Sequence, residues 1–215
     1  MSKWSSTGSM NLNGLCLRAE ITCLTTFFLL AGKGFTMPNF FVKTAVRTRF
    51  ALTSRDKATL QIRKFGNIYQ ALARKVGSDC GVRPIVVPKM PGVDEDMRNW
   101  SFFMLLEHNT IVNRSITSVV QSLAMGEEPE GPGAIDPKAG VMPSPDPGEE
   151  QIEAFRESVD THLEVVSGLP RLRGTIKKRH PVFGDFDAHR WHCMFGFHLL
   201  IHYKQAKMVV QKAVS

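Results

Sequence analysis

The stretch His180–Gln205 reads HPVFGDFDAHRWHCMFGFHLLIHYKQ, and its spacing decides how the rest of the chain is read. His198 and His202 stand at i and i+4, so their rings lie one helical turn apart on one face, a separation at which two imidazoles can share a metal ion. Counted from His198, Trp191, Met194, Phe195, Ile201 and Val209 fall at −7, −4, −3, +3 and +11. The pair therefore sits on the apolar stripe and faces a core, where a polar side chain needs a partner. Gln205, three residues beyond His202, is placed to act near the pair or to support it from behind. This helix is expected to start near Asp185 or Asp187 and to run to about Lys212.

A third histidine repeats the pattern. Around His108, Met104, Leu105, Ile111, Val112, Ser115 and Val119 lie at −4, −3, +3, +4, +7 and +11, so His108 also faces inward. Its helix is expected to open at Asp94-Glu95-Asp96, where negative charge suits a helix start, and to run through Trp100 to Met125, with Gly126 as the stop. Any one of these histidines alone reads as a core side chain bonded to a backbone carbonyl. An i,i+4 pair with a third on another apolar face reads better as a three-nitrogen site with an open fourth position, the arrangement of catalytic zinc.

Two further helices complete the pattern. Ser54 caps one that runs to about Val76, with Leu60, Ile68, Leu72 and Val76 on one side and Gly77-Ser78-Asp79 as its end. Asp146-Pro147-Gly148-Glu149 opens another, whose stripe is Ile152, Phe155, Val159, Leu163 and Val166 and whose end is Gly168-Leu169-Pro170. Between the elements, Cys80–Gly92 holds three prolines and reads as a connection. Residues 126–149 hold six Pro and five Gly and read as a long flexible loop. There are no hairpin signals and no repeats. The expected fold class is all-α, a four-helix bundle with long crossover loops spanning 37–215.

Charge and cysteines narrow the function classes. The net charge of +7 divides unevenly: residues 1–93 carry 14 Lys and Arg against 3 Asp and Glu, 94–170 carry 4 against 15, and 171–215 carry 9 against 2. The acidic middle offsets the basic ends, and the basic stretches lack the interleaved aromatics of a single-strand binder, so no nucleic-acid partner is expected. Cys16, Cys23, Cys80 and Cys193 lie far apart without a CxxC pair and read as free thiols in a cytoplasmic protein. Ile21–Ala31 (ITCLTTFFLLA) is apolar, but it is shorter than a membrane span and no A-x-A site follows. Residues 1–36 are expected to be a poorly ordered or mis-started extension, with the functional chain beginning near Met37.

The His180–Gln205 stretch resembles the last-helix signature of the DinB-like (YfiT-like) metalloprotein superfamily: His180-Pro181-Val182-Phe183-Gly184, then Trp191, Phe195, His198, His202 and Gln205. NWSFFMLLEHN, with Trp100, Leu105 and His108, is similar to the family's second-helix motif. The resemblance covers roughly 54–212. It departs from the family at Ile201, where a basic residue often stands, and in the length of the 126–149 loop. It implies an up-down-down-up bundle holding a divalent metal, zinc or nickel, on His108, His198 and His202, with Trp191 and Gln205 behind the ligands or near the substrate.

Characterised members of that family include transferases and isomerases that use a low-molecular-weight thiol. The expected function is therefore metal-dependent transfer of such a thiol to a small-molecule electrophile. Cys193 lies about 140° round the helix from His198 and is not expected to be the nucleophile. His180, His162 and His189 fall outside the constellation, with His180 expected to be structural. The competing reading is a non-catalytic helical bundle that binds a metal, a ligand or a partner. Exposed apolar edges of bundles commonly pair, which is compatible with a homodimer.

Overall fold

The computed structural model describes residues 39–129 and 140–215. The chain divides after Phe40. All but the last two residues of the first unit, including the expected 1–36 extension, lie outside the described residues. Apart from those two residues, every described element belongs to the second unit. Among the described residues the chain is mostly helical, with α1 (Asn39–Leu52), α2 (Arg55–Gly81), α3 (Phe102–Met125), α4 (Glu150–Gly168) and α5 (Ala188–Ala213). No described helix is long and apolar enough to cross a membrane.

Helices α2 and α5 pack along each other, and α3 lies against both α4 and α5, which gives a helical bundle. Its core is built by the fully buried Ile62, Tyr69, Phe103, Leu105, Phe155, Trp191 and Phe195. Several ends follow the expected chemistry. Ser54 Oγ accepts from Lys57 N at the start of α2, and Asp187 Oδ1 accepts from Arg190 N at the start of α5. Gly126 ends α3 in the left-handed region (φ 85°), which a residue without Cβ adopts freely. The α4 stripe is as expected, with Phe155, Val159, Leu163 and Val166 all buried.

Several expectations are corrected. First, α3 does not begin at Asp94. Glu95–Met97 form a short 3₁₀ turn, Asn99–Trp100 form a strand (β2) paired antiparallel with Ile85–Val86 (β1), and α3 opens at Phe102 under a Ser101 cap. Strand pairing with the upstream connection outcompetes the helical alternative at Trp100. Second, the buried face of α2 is Ala58, Ile62, Phe65, Gly66, Tyr69, Ala73 and Val76, and Leu60 is 64% exposed, because the two aromatics rather than the leucine set the rotation of the helix.

Third, Asp146 does not cap α4. The helix starts at Glu150, whose own carboxylate accepts from the Gly148 N–H at 2.8 Å. Fourth, a hairpin is present: Lys178–His180 (β3) pairs with Gly184–Phe186 (β4). At its turn His180 Nδ1 accepts from Val182 N and Phe183 N, Gly184 takes φ 81°, and Arg47 Nη1 donates to the Phe183 carbonyl at 2.7 Å. The histidine acceptor adds to the turn chemistry of Pro181 and Gly184. α2 also continues past its expected end to Gly81, across a break at Gly77 (φ 66°).

Close packing makes one glycine decisive. A Cβ on Gly81 would lie 2.7 and 2.8 Å from the ring carbons Cε2 and Cε1 of Phe103, which is itself fully buried. Gly81→Ala is expected to destabilise the protein by about 1–3 kcal/mol, the cost of an overpacked core. Gly168→Ala, with nothing within 4 Å, is expected to be neutral or slightly stabilising. Thermal melts of the two variants check both signs.

Candidate metal centre

The segment between α2 and α3 and the loop before α4 meet α3 and α5 at one place. There the rings of His108, His198 and His202 gather, with centroid separations of 5.1 Å (His108 to His198), 4.8 Å (His108 to His202) and 4.7 Å (His198 to His202). One nitrogen from each lies within 4.8 Å of the others, so the group could hold a metal ion. His108 and His202 are buried, and His198 is half-buried with its Nδ1 fully shielded.

The protons on two of these rings follow from their partners. His108 Nδ1 lies 2.7 Å from the Val141 carbonyl, which only accepts, so Nδ1 carries the hydrogen and Nε2 keeps its lone pair. Gln205 Nε2 donates to the Met97 carbonyl at 2.6 Å, which turns Gln205 Oε1 toward His202 Nδ1 at 3.1 Å. His202 Nδ1 therefore donates, and its Nε2 lone pair is also free. His108 Nε2 and His198 Nδ1 are buried with no hydrogen-bond partner. A buried polar atom left unpaired costs roughly 1–3 kcal/mol, so two in one cluster call for an explanation.

Electrostatics keep all three rings neutral, the form that ligates. Burial lowers the pKa of His108, against the opposing bond to Val141. Burial and then the neighbouring His202, His108 and His180 drive His198 well below the ordinary imidazole value. His202 is brought down to about 3 by burial and by His108. The fit of a cation to this donor set is good: neutral imidazoles, free lone pairs and carbonyl or amide partners behind two of them.

Gln205 thus stands where its spacing indicated, directly behind a ligand candidate. The ring contacts of Trp191 are with His180 and Phe186 rather than with the three-histidine cluster. Trp191 anchors the hairpin, with Nε1 donating to the Lys178 carbonyl at 3.3 Å. Cys193 is buried beside the Phe50 carbonyl and His189, and burial pushes its thiol up to about 12, which does not suit a nucleophile. Arg173 donates to the Ala51 carbonyl, and the buried ammonium of Lys178, the first residue of β3, donates to the Pro129 carbonyl.

Sequence reasoning missed a second pair. His162 Nε2 and His192 Nδ1 lie 3.0 Å apart, Thr117 Oγ1 is 2.9 Å from His162 Nδ1, and Thr59 Oγ1 is 3.1 Å from His192 Nε2. This chain crosses α2, α5, α4 and α3. In one polarity Thr117 gives its proton to the Asn113 carbonyl, and each ring donates from Nδ1 toward Thr117. In the other, both rings donate from Nε2, and His192 is bonded to the Arg55 carbonyl. The available signal was His162 itself, three residues after Val159 and four before Val166 on the apolar stripe.

Comparison with protein-family models, with curated proteins and with solved structures finds no match for this chain.

Burial holds His192 at about 4 and His162 well below its ordinary value, so both are neutral in the native state at pH 7. The unfolded chain takes up these protons below about pH 6.5 and the native state does not, so stability is full above that value and falls with acid. His192 is expected to remove about 1.4 kcal/mol per pH unit down to about pH 4, and His162 acts in the same direction. Melts of metal-free protein at pH 7.5 and 5.0 check this. His192→Gln is expected to melt lower at pH 7.5 yet show a flatter pH dependence.

Proposed function

We propose that this chain is a divalent-metal protein of the DinB-like kind, an up-down-down-up four-helix bundle that binds zinc or nickel on His108, His198 and His202. The observation that carries the reading is the pair of buried, unpartnered nitrogens, His108 Nε2 and His198 Nδ1, beside a His202 whose other nitrogen is already engaged. Three imidazoles within reach of one another, all held neutral by burial, form a donor set suited to a borderline cation.

The chemistry proposed is transfer of a low-molecular-weight thiol to a small electrophile. When bound, the ion supplies a Lewis acid that lowers the pKa of a thiol or water and so yields a nucleophile at neutral pH. The chain's own residues do the rest. The Val141 carbonyl and Gln205 fix the tautomers of His108 and His202, and Trp100, whose ring lies 5.1 Å from His108, shields that ligand from water. The half-buried edge of His198 is the side from which a substrate would approach. A cytoplasmic location belongs to this reading, supported by the free thiols of Cys80 and Cys193.

Elemental analysis of protein purified without added metal is expected to find about one zinc or nickel per chain, and that content should drop at least tenfold in His108→Ala, His198→Ala and His202→Ala. His162→Gln and His180→Ala are expected to lose stability and keep metal. A coupled assay should show metal-dependent loss of an electrophile together with a thiol. Metal-loaded protein that consumes none of several thiols would remove the transferase half of the reading and leave a metal-binding bundle.

A further inference from the structure

A piece of the long Pro/Gly-rich connection reaches the candidate centre. Val141, 4% exposed, brings its carbonyl to His108 Nδ1. Three residues later Ser144 gives both its backbone N–H (2.8 Å) and its hydroxyl (2.7 Å) to a single oxygen, Glu107 Oε2, on the residue next to His108. The segment 141–144 is thus fastened at two points to one turn of α3. Pro143 and Pro145 flank Ser144 and carry no N–H, so Ser144 supplies every donor in that tripeptide.

We propose that the Glu107–Ser144 clip is a positioning device for the three-histidine site. It holds the Val141 carbonyl on His108, keeps that ring in the tautomer whose Nε2 is free, and so sets the affinity for metal. This rests on the metal-binding reading of the three histidines. A neutral imidazole has one N–H, and the partner of one nitrogen decides whether the other is free to ligate. Once released from Val141, His108 would have to regain both its orientation and its tautomer before ligating. Glu107 and Ser144 hydrogen-bond to each other and not to the three histidines, so both act through His108.

The clip has a rival within the same residue, the negative charge that Glu107 places near a cation, and two substitutions separate them. Glu107→Gln keeps an acceptor oxygen for Ser144 and removes the charge, whereas Glu107→Ala removes both. Zinc affinity, read by chelator competition, is expected to weaken about tenfold or more in Glu107→Ala, in the range found when a ligand's hydrogen-bond partner is lost. It is expected to stay close to wild type in Glu107→Gln and to fall by an intermediate amount in Ser144→Ala. Loss in Glu107→Gln equal to that in Glu107→Ala would overturn the proposal in favour of the charge.

The second measurement needs no metal. Nitrogen chemical shifts of His108 in the metal-free protein are expected to report one Nδ1–H tautomer in wild type and a mixture in Glu107→Ala. A single unchanged tautomer in Glu107→Ala would overturn the proposal. If wild-type protein takes up no zinc, the metal-binding reading fails, and the tautomer measurement still decides whether the clip positions His108. Should Glu107→Ala fail to fold, Ser144→Ala, which alters an exposed hydrogen bond, carries both measurements: a mixed tautomer supports the clip and an unchanged one overturns it.

Discussion

A helix buried on every side cannot leave its polar side chains unpartnered, and that constraint organises this molecule. From Ala188 to Phe197 nearly every residue of α5 is buried, including His189, His192 and Trp191. Each has an answer elsewhere in the chain. His189 Nε2 bonds to the Thr53 carbonyl, His192 lies between Thr59 and His162, Trp191 donates to Lys178, and His202 reaches Met97 through Gln205. Among the α5 imidazoles, His198 Nδ1 is left over as a buried nitrogen without a partner. The exception falls beside the equally orphaned Nε2 of His108, and this coincidence is what separates a site from a set of core histidines.

Much of this was legible from residue spacing. The i,i+4 pair, the inward phase of His108 and the place of Gln205 all follow from helical periodicity, because ligands on straight helices inherit the helix's own arithmetic. The helix caps at Ser54 and Asp187 were legible for a similar local reason. What was not legible is held by backbone carbonyls: Val141 behind His108 and Met97 behind Gln205 are acceptors that every residue carries, so no side-chain code announces them. The strand at Asn99–Trp100 and the 178–186 hairpin depend on pairing between segments, which single-segment propensity does not record. The α2 stripe was misphased because Phe65 and Tyr69 outweigh Leu60 in the area they bury.

The connection between α2 and α3 is more than a link. Its 3₁₀ turn presents the Met97 carbonyl to Gln205, its strand places Trp100 on His108, and Gly92 (φ 77°) packs so closely on Ile201 that a Cβ there would collide with the isoleucine Cγ2. Ile201, between His198 and His202, thus has a packing partner of its own. The wall over the candidate centre is assembled from an otherwise irregular stretch, each part of it fixed by one specific contact to a ligand helix.

The chain from Thr59 through His192 and His162 to Thr117 has a consequence for how the helices find one another. Apolar stripes are degenerate: two helices can slide by a turn and still bury hydrophobic side chains. A slip of a single residue turns every side chain by about 100°, and the imidazoles would then leave their N–H groups in hydrocarbon. Four helices threaded by one line of hydrogen bonds therefore share a common gauge, which fixes the axial setting and rotation of each against the rest. The same gauge ties the height of α3 to that of α5, because Thr117 and His192 lie on those two helices.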